Sequence, residues 1–163
     1  IVDFPQPGIV FKDITPILKD PDLCSEIIVE IANSLKDTKI DIIAGIESRG
    51  FLFGLMLANY MKIPFVPIRK QGKLPFKTIS ESYKLEYGQA TIEIHEDAFE
   101  EGTNVLIHDD LLATGGTVVA AAKLVEKLGG NVAGFSFIIS LDFLNGEGRL
   151  HCFSDNVFSL LRC

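Results

Sequence analysis

Two adjacent carboxylates precede a turn of small residues. Asp109 and Asp110 follow the apolar run Val105–Ile107. The turn consists of Ala113, Thr114, Gly115, Gly116 and Thr117. Backbone N–H groups, a helix dipole and hydroxyls can bind an anion there, and glycines let it approach closely. Carboxylates beside an anion site can hold sugar hydroxyls or a metal ion, so this segment predicts a site for a phosphorylated sugar rather than an ordinary strand–turn–helix connection.

Alternating helices and strands must position these residues. Apolar periodicity predicts helices that begin at Pro21, run from after Gly50 to about Met61, and cover 117–129. Apolar runs predict strands over Ile40–Ile46, Phe65–Ile68, 105–108, 132–141 and Val157–Leu161. This order is typical of an α/β fold with a mostly parallel central sheet and helices on both faces. We expect a single domain over residues 1–163, because the sequence shows no repeat or linker.

Polar segments surround this predicted core. Residues 1–20 contain several prolines and predict an irregular arm, whereas Gln71–Ser82 predicts a mobile loop that closes over bound substrate. Period-two alternation then predicts a hairpin beside the main sheet. The alternating residues are Tyr83, Leu85, Tyr87, Ile92 and Ile94. We therefore expect residues 70–95 to form a flexible loop and hairpin.

Three charged turns follow three of the predicted strands. They are Glu47–Gly50, Arg69–Lys73 and Asp109–Thr117. The carboxyl ends of parallel strands meet at one edge of a sheet, and ligands bind there. The sequence therefore predicts one composite site.

Composition limits the class of ligand. A chain of 163 residues, 47% of them hydrophobic, can bury one substantial core. Its net charge of −7 argues against a general nucleic-acid-binding protein. Basic residues are concentrated instead at Arg69, Lys70, Lys73 and Lys77, which suits a small polyanion.

Cysteine usage and hydropathy bear on location. The three cysteines lack metal-ligand spacing, which predicts reduced thiols in a cytoplasmic protein. The longest apolar stretch, around Phe51–Met61, is too short to cross a membrane. Because the first residue is Ile1 and not Met, we expect the native N-terminus to lie upstream.

The acid pair and its turn resemble the phosphoribosyl-diphosphate signature of the phosphoribosyltransferases. Further segments are similar to the adenine phosphoribosyltransferase family. They are DFPQPGIVFKDITPILKDP, GIESRGFLFG, PIRKQGKLP, YKLEYG and IEIHEDA. The resemblance runs in the family's order from Asp3 to about Leu161. It implies the type I phosphoribosyltransferase fold, with an N-terminal hood over the base.

The resemblance also implies an activity. The family transfers a 5-phosphoribosyl group from phosphoribosyl diphosphate to adenine, giving AMP and pyrophosphate with Mg2+, and we expect a homodimer. One alternative is a phosphoribosyltransferase for a 6-oxopurine or pyrimidine. The other is a non-catalytic regulator that senses phosphoribosyl diphosphate. The intact YKLEYG and GKLP segments favour the enzyme, because a sensor has less need of a closing loop.

Residue roles follow from the same resemblance. The 5-phosphate is expected on residues 113–117, with Asp109 and Asp110 facing the ribose hydroxyls and holding Mg2+ directly or through water or substrate. Residues expected at the pyrophosphate are Glu47, Ser48, Arg49, Arg69, Lys70 and Lys73, with a cis peptide between the first two. Glu86 is expected to exchange a proton with adenine, and Tyr87 to cover the substrate.

The adenine contacts are expected from the N-terminal arm, at Val10, Phe11 and Lys12. Many family members have Arg where Lys12 stands, so we expect no guanidinium-specific contact there. A second departure is His108, which replaces an apolar residue. Its place in a strand predicts a packed, neutral side chain rather than a catalytic one.

Overall fold

The computed structural model describes residues 13–85 and 88–163. In chain order, the main elements are α1 (Pro21–Ser34), β1 (Ile42–Ile46), α2 (Gly50–Met61), β2 (Phe65–Lys70), β3 (Thr78–Lys84), β4 (Gln89–His95), β5 (Asn104–Leu112), α3 (Gly116–Lys127), β6 (Asn131–Ser140) and β7 (Val157–Arg162). Short 3-10 turns lie at Ile17–Lys19, Asp142–Leu144 and Glu147–Arg149.

The strands form one seven-stranded sheet in the order β3-β4-β2-β1-β5-β6-β7. The strands β2, β1, β5, β6 and β7 are parallel to one another. Beyond β2, β4 pairs antiparallel with β2, and β3 pairs antiparallel with β4. In the centre, Ile43 of β1 pairs with Phe65 on one side and Leu106 on the other. The predicted α/β class with a mostly parallel sheet is confirmed.

Helices cover both faces of the sheet. Ile43 and Leu106 pack with α1 and α2 on one face, while the next residues along each strand, Ala44 and Ile107, pack with α3 on the other. Successive residues of a strand point to opposite faces, so a strand covered on both sides must be apolar throughout. All five residues of β1 are buried accordingly.

The first helix shows how local sequence sets an element boundary. The Asp20 side chain accepts hydrogen bonds from the N–H groups of Asp22 at 3.1 Å and Leu23 at 3.0 Å. Pro21 occupies the first turn, where its missing N–H costs nothing. Ile27 and Ile31 then recur at helical spacing and are buried against the sheet.

The hairpin differs from its prediction in two ways. First, β3 begins at Thr78, so residues 78–82 form a strand rather than a loop. Second, β4 pairs with β2 through Arg69–Glu93 and Lys70–Ile92, so the hairpin is part of the main sheet rather than beside it. The polar residues Ser80 and Ser82 hid the strand from sequence analysis, because an edge strand exposes one face to water. The predicted mobility of this segment stays a prediction.

The fifth strand is also longer than predicted, since it continues to Leu112. Asp109 and Asp110 therefore lie within the strand rather than after it, and the sheet fixes their backbone. Among the described residues, no helix has the length and apolarity needed to cross a bilayer.

Candidate active site

Three turns meet at the carboxyl edge of the parallel strands. Residues 47–50 follow β1, residues 71–73 follow β2, and residues 113–117 follow β5. Because β1 lies between β2 and β5, its turn lies between the other two. Ion pairs link it to each neighbour, through Glu47 to Arg69 and through Arg49 to Asp110.

Glu47 organises the turns after β1 and β2. Its Oε2 accepts hydrogen bonds from Arg69 Nε at 3.0 Å and from the Lys70 backbone N–H at 3.0 Å. Burial is the largest single influence on the pKa of Glu47 and raises it. The two hydrogen bonds and the charges of Arg69 and Lys70 together outweigh burial, so the pKa of Glu47 is lowered. The peptide bond between Glu47 and Ser48 is cis, as the resemblance implied. The guanidinium of Arg69 is thus paired with a carboxylate in this structure, and its expected contact with pyrophosphate stays a prediction.

A tight turn presents the basic residues after β2. Lys73 N–H donates to the Lys70 carbonyl at 3.1 Å, and Gly72 has a φ of 77°. This φ is strained for other residues, so the turn favours glycine. Gly72 N–H donates to the buried Glu93 carboxylate at 3.0 Å. The backbone is therefore fixed, while the side chains of Lys70 and Lys73 are exposed at the edge.

The acid pair lies across β1 from this basic turn. Asp110 is buried, with Oδ2 2.8 Å from Arg49 Nε, and its N–H donates to Asp109 Oδ1 at 2.8 Å. That Oδ2 accepts no hydrogen bond from the described residues, so the contact with Arg49 is an ion pair without an aligned hydrogen bond. Burial, and then the negative charge of Asp110, raise the pKa of the Asp109 carboxyl well above its ordinary value. Asp109, which is partly exposed, is therefore the member of the pair that a ligand can reach.

Gly50 allows α2 to begin against this acid pair. A Cβ on Gly50 would lie 2.9 Å from the His108 carbonyl oxygen and 3.0 Å from Asp109 Oδ1. The first distance is shorter than Cβ atoms show in proteins, and the second is at the tight end of what they show. The first residue of α2 can therefore be only glycine without displacing β5.

The turn after β5 has the features of an anion site. Gly115 has a φ of 77° and precedes α3, and no described side chain caps the helix. The first N–H groups of α3 consequently remain available to a ligand. An open cleft of about 650 Å³ lies there, with Thr114 and Thr117 on one wall and Tyr83 and Leu85 of the hairpin on the other.

Five predicted site residues lie outside the described residues. They are Val10, Phe11, Lys12, Glu86 and Tyr87. The described residues adjoining the last two, Leu85 and Gly88, belong to the hairpin that walls the cleft.

His108 is packed in the core and neutral. Its Nδ1 lies 2.8 Å from Ser136 Oγ, and burial lowers its pKa to about 4. A Cβ placed on Gly54 of α2 would lie 3.3 Å from Cδ2 of His108, so the His108 ring packs against α2. The structure thus agrees with the interpretation of His108 as a structural residue.

Two contributors to the site were not predicted from the sequence. Gly146 packs directly against the turn after β5, and Arg149 Nη1 donates to the Thr114 carbonyl at 2.9 Å. A signal was present, because the segment from Asn145 to Arg149 combines two glycines with a basic residue just beyond a strand. Its weak periodicity concealed this pattern.

An acid pair beside an uncapped helix turn at the carboxyl edge of a parallel sheet is the arrangement expected of a protein that binds a phosphorylated sugar. Consistent with this, the model of the phosphoribosyl transferase domain family matches residues 12–150.

Individual relatives narrow the family. The chain is 52% identical to an adenine phosphoribosyltransferase of Cytophaga hutchinsonii over 99% of this chain and 89% of the relative. A crystal structure of adenine phosphoribosyltransferase from Thermoanaerobacter pseudethanolicus is similar with a TM-score of 0.96 and 51% identity, covering 100% of this chain and 94% of the other. The Saccharomyces cerevisiae enzyme, complexed with adenine and an imino-altritol bisphosphate, has a TM-score of 0.91 and 42% identity over 99% and 92% of the two chains. The chain belongs to the adenine phosphoribosyltransferase family.

We predict that Asp109→Asn and Asp110→Asn each reduce pyrophosphate release from phosphoribosyl diphosphate by at least about tenfold, because each replaces a carboxyl group of the acid pair that is predicted to face the ribose. Stability should change by less than about 1 to 2 kcal/mol, because Asn has the same shape and Arg49, 36% exposed, can turn to solvent. Steady-state kinetics and urea unfolding would measure the two effects.

Asp37→Asn is the matched control, since Asp37 is exposed beyond α1, at the opposite edge of the sheet. Parallel losses of activity and stability in the two site variants would contradict the prediction and identify a structural acid pair.

Proposed function

We propose that the carboxyl edge of the sheet is the active site of an adenine phosphoribosyltransferase. The protein transfers the 5-phosphoribosyl group from phosphoribosyl diphosphate to adenine, giving AMP and pyrophosphate. This reaction is a step of purine salvage.

One observation carries the proposal, namely the order of the three turns along the edge. The basic turn lies at β2, the Glu47–Gly50 turn at β1, and the acid pair with the uncapped turn of α3 at β5. Phosphoribosyl diphosphate has the same order of chemical groups, with pyrophosphate at one end, ribose in the middle and a 5-phosphate at the other end. The turns at β2 and β1 therefore match the pyrophosphate end of the ligand, and the acid pair and the turn of α3 at β5 match the ribose and the 5-phosphate.

The acid pair supports bond cleavage at the ribose. As the bond between the ring carbon and pyrophosphate breaks, positive charge develops on that carbon. Asp109 and Asp110 lie at the position assigned to the ribose, and Arg49 draws one of them toward the turn of β1. Fixed carboxylates stabilise such charge without reorganising at the moment of reaction.

The departing pyrophosphate is held by Ser48, Arg49, Lys70 and Lys73. The two lysines are exposed on a turn that Glu93 and Gly72 fix, so they present positive charge without a flexible backbone. Arg69 contributes differently, because its ion pair with Glu47 and its bond to the Lys73 carbonyl at 3.0 Å brace that turn.

The acid pair also fits Mg2+. Oxygen ligands are the ones Mg2+ prefers, and the carboxyl group of Asp109 is partly exposed at this edge of the sheet. The described residues contain no cluster of three or more His, Cys, Asp or Glu that could hold a metal. Asp109 and Asp110 would therefore share the ion with substrate oxygens and water. When bound, Mg2+ neutralises charge on the diphosphate leaving group.

Adenine is bound by Val10, Phe11 and Lys12, with Phe11 providing apolar cover. Glu86 acts as the general acid–base group and exchanges a proton with a ring nitrogen as the new glycosidic bond forms. Leu85, the residue before it, lines the cleft over the turn of α3, which supports a place for Glu86 near the site.

A homodimer with a cytoplasmic location completes the proposal. The outer face of α2 supports the dimer, since this helix has no charged residue and exposes Leu52, Leu55 and Tyr60 at 41%, 57% and 53%. Helices that are apolar all round are normally covered. A second copy of the same helix is the matching partner, in a two-fold interface next to the Glu47–Gly50 turn.

The function is tested by pyrophosphate release from phosphoribosyl diphosphate. We expect turnover with adenine and Mg2+, and none with hypoxanthine, guanine or orotate, or with adenine after chelation of the metal. Preference for another base would refute the acceptor, and binding without turnover of any base would identify a sensor.

Glu86→Gln should leave phosphoribosyl diphosphate binding intact and reduce kcat by at least about tenfold, a floor below the usual contribution of a general acid or base. Pre-steady-state turnover should be measured so that product release does not mask chemistry. Glu96→Gln, at an exposed position beyond β4, is the control. A wild-type rate in the Glu86 variant would rule out its proposed role.

Leu55→Glu should convert the dimer to a monomer in sedimentation velocity, because it places a charge in the proposed apolar interface. Leu161→Glu makes the same change at a side chain of similar exposure, 52%, on the edge strand β7. If Leu161→Glu dissociated the dimer and Leu55→Glu did not, the dimer interface would lie away from α2.

A further inference from the structure

Arg149 lies beside the turn that opens α3. Its Nη1 donates to the Thr114 carbonyl at 2.9 Å, linking residues 35 positions apart. A guanidinium has five N–H donors in a rigid plane, so this bond orients the group and leaves most of its donors for other acceptors.

Backbone packing fixes Arg149 relative to the turn. Gly146 lies so close that a Cβ on it would clash with the Ala113 carbonyl oxygen, and a Cβ on Gly115 would lie 2.9 Å from the Gly146 carbonyl oxygen. On the other side of Arg149, Leu150 is fully buried in the core beneath α3. The segment carrying Arg149 therefore has little freedom to shift along the turn.

The bond to Thr114 also orients the turn. In a trans peptide the C=O and N–H groups point in opposite directions. Holding the Thr114 carbonyl thus fixes the direction of the Gly115 N–H, the last before α3. Arg149 therefore holds the peptide that leads into α3, and it also presents donors of its own.

The charge of Arg149 faces the cleft. Arg149 lines it together with Lys84, Thr114 and Thr117. Its Nη1 lies 4.0 Å from the point where a Cβ on Gly116 would stand, beside the first turn of α3. No carboxylate of the described residues pairs with it. A guanidinium and a helix N-terminus thus contribute positive potential to the same cleft in a chain of net charge −7.

We propose that Arg149 is a further residue of the 5-phosphate site. It holds the turn through Thr114 and donates charge-assisted hydrogen bonds to the phosphate. This inference rests on the proposed function, because it assumes that the turn binds the 5-phosphate. It adds a residue from the segment after β6 to a site otherwise built on β1, β2 and β5.

The test uses ribose 5-phosphate as the probe, since it carries the phosphate without pyrophosphate or base. Calorimetry should show that Arg149→Met raises the Kd by at least about tenfold, the size expected when a charge-assisted hydrogen bond is lost. Arg149→Lys should recover part of the affinity, because an ammonium keeps the charge. The affinity of the Met variant should also depend less on salt than that of the wild-type protein.

Kinetics provide the second measurement. Arg149→Met should raise KM for phosphoribosyl diphosphate about tenfold, with kcat and KM for adenine within about threefold of the wild type. Lys36→Met removes the same charge beyond α1, at the opposite edge of the sheet, and should change neither Kd nor KM.

Two results would overturn the proposal. One is a Met variant that binds ribose 5-phosphate within twofold of the wild type, and the other is an equal loss for adenine accompanied by a lower Tm. Failure of the wild-type enzyme to use adenine would refute the proposed function instead, and the calorimetric comparison would still decide the role of Arg149.

Discussion

The ion pair between Arg49 and Asp110 is the contact on which the site depends. It joins the turn after β1 to the end of β5, and Asp110 is 3% exposed. A buried carboxylate is costly unless it is paired, so Arg49 offsets the cost of burying Asp110 in this position. The two partners are not equivalent, because Arg49 can reach water when Asp110 is removed, whereas Asp110 cannot. Loss of Arg49 should therefore disturb the fold of the edge more than loss of Asp110.

Close backbone approaches reinforce this ion pair on both sides. Gly50 lets α2 begin against Asp109, and Gly115 and Gly146 let two turns meet with no side chain between them. At Gly50 it is space, rather than a positive φ, that demands glycine, since the helix begins there. Side chains from several strands can thus surround one ligand only because the backbone between them is unusually compact.

Sequence analysis predicted what local pattern encodes. Unbroken apolar runs marked β1 and β5, because strands covered on both faces must be apolar, and the acid pair and its small-residue turn lie next to each other in the chain. The start of β3 at Thr78 was not predicted, because the polar residues Ser80 and Ser82 interrupt the hydrophobic pattern of a strand. Backbone pairing with β4, which a single sequence does not show, holds these residues in the strand. Arg149 was missed for a different reason. Its link to Thr114 joins distant residues, and pattern analysis of a single sequence does not detect such contacts.

The two walls of the cleft are supported by different interactions. The wall formed by the turn after β5 rests on the parallel core, whereas the hairpin reaches α3 through Ile79, Tyr83 and the ion pairs of Glu81 with Lys123 and Lys127 at 3.4 and 2.6 Å. The hydrogen bond from Lys127 is the main cause of the lowered pKa of Glu81. Both lysines are nevertheless about half exposed to water. Ion pairs between such groups contribute only about 0 to 1 kcal/mol each. These ion pairs therefore add little to the stability of the hairpin, which is held mainly by the pairing of β4 with β2 and by the buried side chains of Ile92 and Ile94. The two walls thus differ in origin, since one is formed by a turn at the end of a central strand and the other by an antiparallel hairpin at the outer side of the sheet.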